Sequence, residues 1–169
     1  MPTAKTWPTK ALTGVTDGQY VGVPTADALH VDGYDYKIYP VGDHTKDVSL
    51  ADLTAGKFTM SGDKLAVAGY DVVYTAKDAT AEIKYVFDGT AKPSDATKAK
   101  IPANGTIAGK TDGTYPDTKI AEILGYTVVV TCNGTATGSY VGKTWSGTFT
   151  AADNAGTNSV YTVTYTPTL

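Results

Sequence analysis

The feature that most constrains this chain is the alternation of apolar and polar residues along several short segments. Tyr34, Tyr36 and Ile38 alternate with charged residues in the run 34–41. Successive side chains of a β-strand point to opposite faces of a sheet, so a period of two residues indicates a strand. In the run 159–166 the better core candidates are again every second residue: Tyr161, Val163 and Tyr165. The pattern predicts a mainly β protein, an antiparallel sandwich or barrel-like domain.

Further strand-like runs cover residues 70–77, 81–87, 127–132 and 140–150. Asp78-Ala79-Thr80 lies between the first two runs and predicts a short hairpin loop. The run 127–132 is continuously β-branched and predicts a strand buried on both faces. We expect the final run, 159–166, to be an edge strand open to pairing with another chain.

Helical signals are few and short, so we expect one or two short helices. Ser49-Leu50-Ala51-Asp52 resembles a capping box before a brief helix. Asp117 to Leu124 carries an apolar stripe between Pro116 and Gly125 and predicts two turns of helix. Residues 90–113 read as a long surface loop with one turn of helix after Ser94.

The same signals suggest an organisation in three parts. Residues 1–14 form an extended N-terminal arm, because prolines remove backbone donors and hold a chain extended. Residues 15–110 form a β-rich unit that contains the long loop. Residues 111–169 form a short helix and a second β-rich unit, either packed as one domain with the first or separate from it.

Composition excludes several functional classes. The chain has 14 basic residues, all lysine, and a net charge of −3. A protein that neutralises nucleic-acid phosphates needs a basic face, so nucleic acid is not an expected partner. A single cysteine cannot close an intrachain disulfide. No apolar run approaches the roughly 18 residues that cross a bilayer, so we expect no membrane span.

Two short sequence motifs recur along the chain. Thr16-Asp17-Gly18-Gln19-Tyr20 returns as Thr111-Asp112-Gly113-Thr114-Tyr115, and Ala26-Asp27-Ala28-Leu29 resembles Ala121-Glu122-Ile123-Leu124 at the same spacing. Such echoes arise either from a duplicated β unit or by chance in a chain rich in Thr, Gly, Ala and Tyr. The sequence alone leaves both explanations open.

Residues that could perform chemistry form no recognisable motif. His30 and His44 are the only histidines, and Glu82 and Glu122 the only glutamates. The aspartates between Asp32 and Asp47 could hold calcium, but they lack the spacing of a calcium loop, and aspartate is an ordinary turn residue. We read Cys132, at the end of the most apolar run, as an inert thiol. The prediction is therefore no enzyme, no cofactor and no metal site.

Aromatic residues remain as candidates for binding. Trp and Tyr are enriched at protein interfaces, and tyrosine gives a large contact area at low rotamer cost. The interface candidates are Trp7, Tyr34, Tyr36, Tyr39, Trp145 and Tyr161. An alternative is a carbohydrate-binding β-sandwich module, in which Trp7, Tyr140, Trp145 and Tyr161 would stack on the rings of a surface glycan.

The Pro/Thr-rich arm of residues 1–14, the absence of a secretion signal and the β-rich Thr/Gly/Tyr body give the chain a family likeness. It resembles small structural proteins of tailed-bacteriophage virions, especially capsid decoration proteins and head fibres. The resemblance implies a homo-oligomeric or lattice-bound protein that stabilises a capsid by binding other virion proteins, the major capsid protein or tail subunits. A tail tube or fibre subunit is the alternative within this class. The expected location is the virion, or the extracellular space if a signal has been removed.

Overall fold

The computed structural model describes residues 11–115, 118–133, 135–136, 139–141, 144–154 and 159–168. The chain divides into two compact units, Met1–Ala76 and Lys77–Leu169. Most regular structure is strand, in several sheets, with three short α-helices. The prediction of a mainly β, sandwich-like fold with short helices is confirmed.

The first unit is built around one antiparallel strand pair. Strand β1 (Tyr34–Pro40) pairs along its whole length with β4 (Tyr70–Ala76). Helices α1 (Ala26–Leu29) and α2 (Leu50–Thr54) precede and follow β1, and a small hairpin joins β2 (Met60–Ser61) to β3 (Lys64–Leu65). The core contains Leu29, Ile38 and Leu53, one residue from each helix and one from β1.

The second unit contains a five-stranded sheet. Its strands, in spatial order, are β6 (Gly105–Lys110), β5 (Asp78–Phe87), β12 (Val160–Pro167), β8 (Tyr126–Cys132) and β9 (Thr135–Ala136). The central pair β5–β12 is parallel, and the other pairs are antiparallel. A smaller sheet orders β10 (Ser139–Val141), β11 (Thr144–Ser146) and β7 (Thr118–Lys119). Helix α3 (Asp95–Lys98) and the 3-10 turn Ala151–Asp153 complete the unit.

Two of the three predicted helices form. Ser49 caps α2 by accepting a hydrogen bond from the Asp52 N–H, and Ser94 caps α3 in the same way. The helix predicted over Asp117–Leu124 is wrong. Thr118–Lys119 is a strand paired with β11, and the two isoleucines that suggested a helical stripe, Ile120 and Ile123, are buried in a non-helical segment.

Several strand predictions need correction. The hairpin around Asp78-Ala79-Thr80 does not form, because β4 and β5 belong to different sheets. Strand β8 is not buried on both faces, since Val129 is 49% exposed. The run 159–166 is not an edge, because β12 lies between β5 and β8. Its proposed core face is correct: Tyr161, Val163 and Tyr165 are all buried.

The division between the units lies at residues 76 and 77 rather than at 110 and 111. Strands β5 and β6 belong with the second unit because their ladder partners lie there. Residues 1–10 of the predicted arm, including Trp7, fall outside the described residues. The end of that arm is part of the first unit, since the Thr13 N–H donates to the Val21 carbonyl at 3.0 Å.

Candidate functional site: a strand edge in the first unit

The repeated word Thr-Asp-Gly-x-Tyr forms the same turn in both units. Asp17 has φ 63° and Asp112 has φ 62°, a left-handed conformation that Asp and Asn tolerate better than most side chains. The next residue closes each turn: the Gly18 N–H donates to the Val15 carbonyl at 2.9 Å, and the Gly113 N–H donates to the Lys110 carbonyl at 2.8 Å. The repeated sequence motif therefore forms a repeated structural turn.

Each turn docks on a Gly-x-Phe segment through the same hydrogen bonds. The Asp17 N–H donates to the Phe58 carbonyl, and the Phe58 N–H donates to the Gly18 carbonyl. The Tyr20 N–H completes the set by donating to the Gly56 carbonyl. In the second unit the corresponding bonds run from Asp112 to Phe149, from Phe149 to Gly113 and from Tyr115 to Gly147.

The aromatic side chains repeat as well. Tyr20 meets Phe58 edge to face at 4.7 Å, and Tyr115 meets Phe149 edge to face at 4.6 Å. The hydroxyl of Tyr20 hydrogen-bonds that of Tyr70 at 3.2 Å. Correspondingly, the hydroxyl of Tyr115 donates to that of Tyr161. Tyr70 and Tyr161 begin the matching segments Tyr-Asp-Val-Val-Tyr and Tyr-Thr-Val-Thr-Tyr.

The strand pairs have identical registers. In the first unit Tyr36 pairs with Tyr74, Ile38 with Val72 and Pro40 with Tyr70. In the second, the corresponding pairs are Val128 with Tyr165, Val130 with Val163 and Cys132 with Tyr161. A glycine with φ 85° precedes the first strand of each pair, Gly33 before β1 and Gly125 before β8. The pair β1–β4 is therefore the structural equivalent of β8–β12.

The other repeated segment, residues 26–29 compared with residues 121–124, is not structurally equivalent in the two units. Ala26–Leu29 is helical, whereas residues 121–124 are not. The Tyr74 hydroxyl donates to the Leu29 carbonyl, and the equivalent Tyr165 hydroxyl donates to the Ala121 carbonyl. Leu29 therefore matches Ala121 rather than Leu124, because the second unit is three residues shorter between Tyr115 and this point.

The two units differ at one edge of this strand pair. In the second unit β5 lies against β12 on the side away from β8, and β6 lies beyond β5. In the first unit β4 pairs with β1 alone, within the residues that the structure describes. The outer edge of β4 is therefore the position at which the second unit has its additional strand.

Burial shows the consequence of this difference. Tyr161, Val163 and Tyr165 of β12 are 6%, 0% and 0% exposed. Their equivalents Tyr70, Val72 and Tyr74 of β4 are each only half-buried. The same side chains in the same register thus retain contact with solvent in the first unit.

A cavity of about 840 Å³ lies beside β4. Its lining includes residues 67–74 together with Ala11 and Leu12. Leu29, Ile38, Leu53 and Phe58 contribute further apolar surface from the core. We call this the β4 groove; the described residues that line it all belong to the first unit.

Polar groups around the groove are few and paired. Burial, and then the hydrogen bond with Tyr20, raise the pKa of Tyr70 to about 12, so this phenol is neutral at physiological pH. The Asp71 carboxylate contacts Nε2 of His44 at 2.8 Å, and the His44 ring stacks on Tyr39 at 4.8 Å. The groove therefore presents a mostly apolar surface beside a strand edge that has no ladder partner among the described residues, which suits a polypeptide segment.

The predicted interface residues of β1 have different environments. Tyr34 is buried, whereas Tyr36 and Tyr39 are half-buried. Tyr36 packs against the core of the first unit and lies near Tyr74, with ring centroids 6.0 Å apart. None of these three tyrosines lines the β4 groove. Trp7 lies outside the described residues, so its predicted role stays a prediction.

Trp145 and Tyr161 are core residues of the second unit. Trp145 is 0% and Tyr161 6% exposed, and their ring centroids lie 4.5 Å apart. Their prediction as interface or sugar-stacking residues needs correction, because neither side chain presents a surface to a partner. Tyr140 is in β10, but its side chain is outside the described residues.

Residues that could hold a metal do not come together in the part of the chain that the structure describes: no three His, Cys, Asp or Glu side chains are grouped there. Asp32 contacts His30, and Asp43 accepts hydrogen bonds from Thr45. These bonds lower the pKa of Asp43, as expected for a carboxylate in a turn. Cys132 is half-buried.

The sequence analysis missed the groove residues Tyr70 and Val72, although a signal for them exists. Tyr70-Asp71-Val72-Val73-Tyr74 and Tyr161-Thr162-Val163-Thr164-Tyr165 form a third echo. It stands at a slightly different spacing from the Thr-Asp-Gly-x-Tyr pair, because the two units differ in loop length.

None of the helices in the described residues has the length and apolar character to cross a bilayer. Comparison of the chain with protein-family models, with curated proteins and with solved structures finds no match.

Proposed function

We propose that this chain is a structural, non-catalytic virion protein that binds a repeated protein surface, as a capsid decoration or head accessory protein does. The observation that carries the proposal is the β4 groove, in which a strand edge with no ladder partner among the described residues lies beside an apolar cavity. Exposed strand edges are templates for pairing with another chain, and folded proteins ordinarily cover or blunt them. A strand edge beside an apolar cavity suits assembly with a partner.

Binding through such a strand edge gives affinity without any need for catalytic or reactive side chains. Backbone hydrogen bonds contribute most of the contact, and alternate side chains that enter the groove give specificity. On a capsid lattice, many weak copies of one contact hold together by avidity. The expected partners are thus other virion proteins and further copies of the chain.

The same observation favours a second function within this class. Subunits of a tail tube or fibre also associate by pairing strands between neighbours, and the edge of β4 suits that geometry equally. The carbohydrate-binding alternative has less support, because Trp145 and Tyr161, two of its four aromatic candidates, are core residues.

Co-sedimentation tests the proposal. The purified chain is mixed with capsids and, separately, with tails of the phage whose genome carries its gene, and the particles are pelleted. We expect saturable binding in many copies per particle to one of the two. A chain that stays in the supernatant with both particles at all concentrations would contradict the virion proposal.

A further inference from the structure

We infer that the outward face of strands β8 and β12 binds the same face of a second copy of this chain, with the two copies related by a two-fold axis along β12. The inference goes beyond the proposed function, because it concerns a different surface from the β4 groove and requires no other virion protein. It is carried by a comparison between the two units, since both contain an equivalent of this face.

The face is made by every second residue of the two strands. The core of the second unit contains the alternate residues Val130, Val163 and Tyr165. The residues between them lie on the opposite side of the sheet, and they are cross-strand neighbours in the ladder that joins β8 and β12. We call them the Thr/Val face: Thr127, Val129, Thr131, Thr162, Thr164 and Thr166.

The valines of this region are open to solvent. Val129 of β8 pairs with Thr164 of β12 and is 49% exposed. On the other side of β12, Val86 of β5 also pairs with Thr164, and it is 38% exposed. One exposed valine therefore lies on each side of Thr164.

The equivalent face of the first unit is charged. Because β1–β4 is equivalent to β8–β12, Lys37 holds the position of Val129, and Asp71 holds the position of Thr162. Asp35 is a third charged residue on that face. Strands β8 and β12, by contrast, contain no charged residue. Strand propensity does not account for the difference, since the same position of the same strand pair accepts a lysine in the first unit.

The absence of charge from an exposed sheet face indicates a contact surface. The solvated face of an antiparallel sheet is ordinarily polar, as it is in the first unit. The centres of protein interfaces, in contrast, are depleted in charged residues relative to the rest of the surface. The Thr/Val face offers methyl groups and hydroxyls, so a partner could cover it without desolvating any charge.

The arrangement of the valines favours a second copy as the occupant. The row Val86–Thr164–Val129 runs across three neighbouring strands, with a valine at each end and threonine at its centre. A two-fold axis along β12 would bring the two Thr164 residues together and place each Val86 against the other copy's Val129. Each copy would thus present an uncharged row to an uncharged row. Stacked sheets keep their strand directions within about 30° of each other, which such an axis permits.

The size of the face sets the strength of the contact. Three strands about 4.8 Å apart and five residues of about 3.4 Å each give a footprint of roughly 14 Å by 17 Å, or about 240 Å². A standard interface buries about 800 Å² on each partner. We therefore expect a dissociation constant weaker than about 1 µM. A weak contact of this kind suits an assembly in which many copies lie side by side.

Sedimentation equilibrium of the full chain, from about 10 µM to about 1 mM, tests the inference. We expect a monomer–dimer equilibrium. Val129→Lys should weaken the dimer by about tenfold or more, because each contact would bury an ammonium group against a valine. The matched control is Val73→Lys on the equivalent face of the first unit, and we expect it to leave the dissociation constant within about twofold.

Folding of the variants is checked by circular dichroism. Lys37 already occupies the position of Val129 in the first unit, so a lysine is compatible with this strand pair. Val86→Lys repeats the test from the other side of Thr164, and it should weaken the dimer to a similar extent.

A charge pair tests whether the occupant is a second copy in this arrangement. In the double variant Val86→Asp/Val129→Lys, the two-fold axis brings the new carboxylate of each copy to the new ammonium group of the other. We expect this variant to dimerise about threefold more tightly than Val129→Lys alone. Added salt should reduce the gain, because it screens exposed charges.

Four results would overturn the inference. The first is a chain that stays monomeric up to about 1 mM. The second is a dimer that Val129→Lys leaves unchanged, since another surface would then hold it. The third is a double variant that dimerises no more tightly than Val129→Lys. The fourth is a monomeric chain whose binding to virus particles is lost in Val129→Lys, since the face would then belong to a different protein. The sedimentation experiment contains no virus particle, so its failure is distinct from a failure of co-sedimentation.

Discussion

Tyr20 packs edge to face on Phe58, with ring centroids 4.7 Å apart and an interplanar angle of 87°. Tyr115 and Phe149 repeat this relationship in the second unit at 4.6 Å and 86°. Each tyrosine also covers a glycine, Gly56 in the first unit and Gly147 in the second. This repeated cluster anchors the Thr-Asp-Gly-x-Tyr turn to the body of each unit, and it defines the register in which the units can be compared.

The glycine beneath the tyrosine ring cannot accept a side chain without displacing the ring. A Cβ at Gly56 would stand 2.6 Å from the Tyr20 ring. We expect Gly56→Ala and Gly147→Ala each to lower the free energy of unfolding by about 1–3 kcal/mol, as other overpacked sites do. Gly89→Ala is the matched control, since nothing lies within 4 Å of its added Cβ. Urea titration measures all three, and equal midpoints would refute the close packing.

The left-handed turn residue predicts a second substitution pattern. Asp112 has φ 62°, a conformation that costs a β-branched residue roughly 1–2 kcal/mol. We expect Asp112→Val to destabilise the protein by about that amount and Asp112→Asn to have little effect, because Asn tolerates this region. Thermal unfolding of the two variants checks the prediction. A valine variant as stable as the asparagine variant would speak against the turn.

Asp153 is a buried carboxylate at the 3-10 turn, 1% exposed. It accepts hydrogen bonds from the Thr150 N–H at 2.9 Å and the Ser159 N–H at 2.6 Å. Asp153→Ala leaves both donors without this acceptor. Hydrogen bonds to a charged group contribute roughly 1.5–3 kcal/mol each, so we expect a loss on the order of 3 kcal/mol in the free energy of unfolding. Asp95→Ala, at an exposed position in α3, is the control.

The buried phenols predict a loss of stability at alkaline pH. Burial is the main cause that raises the pKa of Tyr70 to about 12, and it also raises the pKa of Tyr115 and Tyr161. The unfolded chain releases these protons near pH 10, before the folded protein does. The stabilisation is thus complete below pH 10 and is lost as the pH rises towards 12 and beyond.

Urea titrations between pH 9 and pH 12 measure this effect, and we expect the free energy of unfolding to fall across that range. In Tyr70→Phe we expect a shallower fall, because the variant cannot ionise at this position. A flat profile in the unaltered protein would contradict the burial of these hydroxyls.

Local sequence patterns correctly predicted those structural features that depend only on residues close together in the chain. The alternation at Tyr161, Val163 and Tyr165 identified the buried face of β12. Ser49 and Ser94 marked the starts of two helices, since a cap acts within one turn. The Thr-Asp-Gly-x-Tyr echo marked two identical turns, because the left-handed Asp and the glycine after it set the local geometry.

Features that depend on distant residues were not predictable in this way. Strand β12 was expected at an edge, but it is central because β5, far away in sequence, pairs with it in parallel. Ile120 and Ile123 fit a short helix equally well, and the pairing of β7 with β11 overrides that weak preference. Tryptophan is a residue type that is enriched at protein interfaces. Only the tertiary surroundings of Trp145 show that it belongs to the core.

The central claim is that the first unit repeats the second and, among its described residues, has no strand at the position of β5. A chimera tests this claim most directly. Residues 78–104 are placed before residue 10, in place of residues 1–9, so that a copy of β5 and its connector precede the first unit as they precede β6 in the second. The control chimera carries Lys at the copied Ile83 and Tyr85 positions. Hydrogen exchange is then measured for the amides of 70–76 in both chimeras and in the unaltered chain.

The account predicts that exchange in 70–76 slows by about tenfold or more in the first chimera, towards the rates of the equivalent residues 161–167, and does not slow in the control. Equal exchange in all three proteins would contradict it.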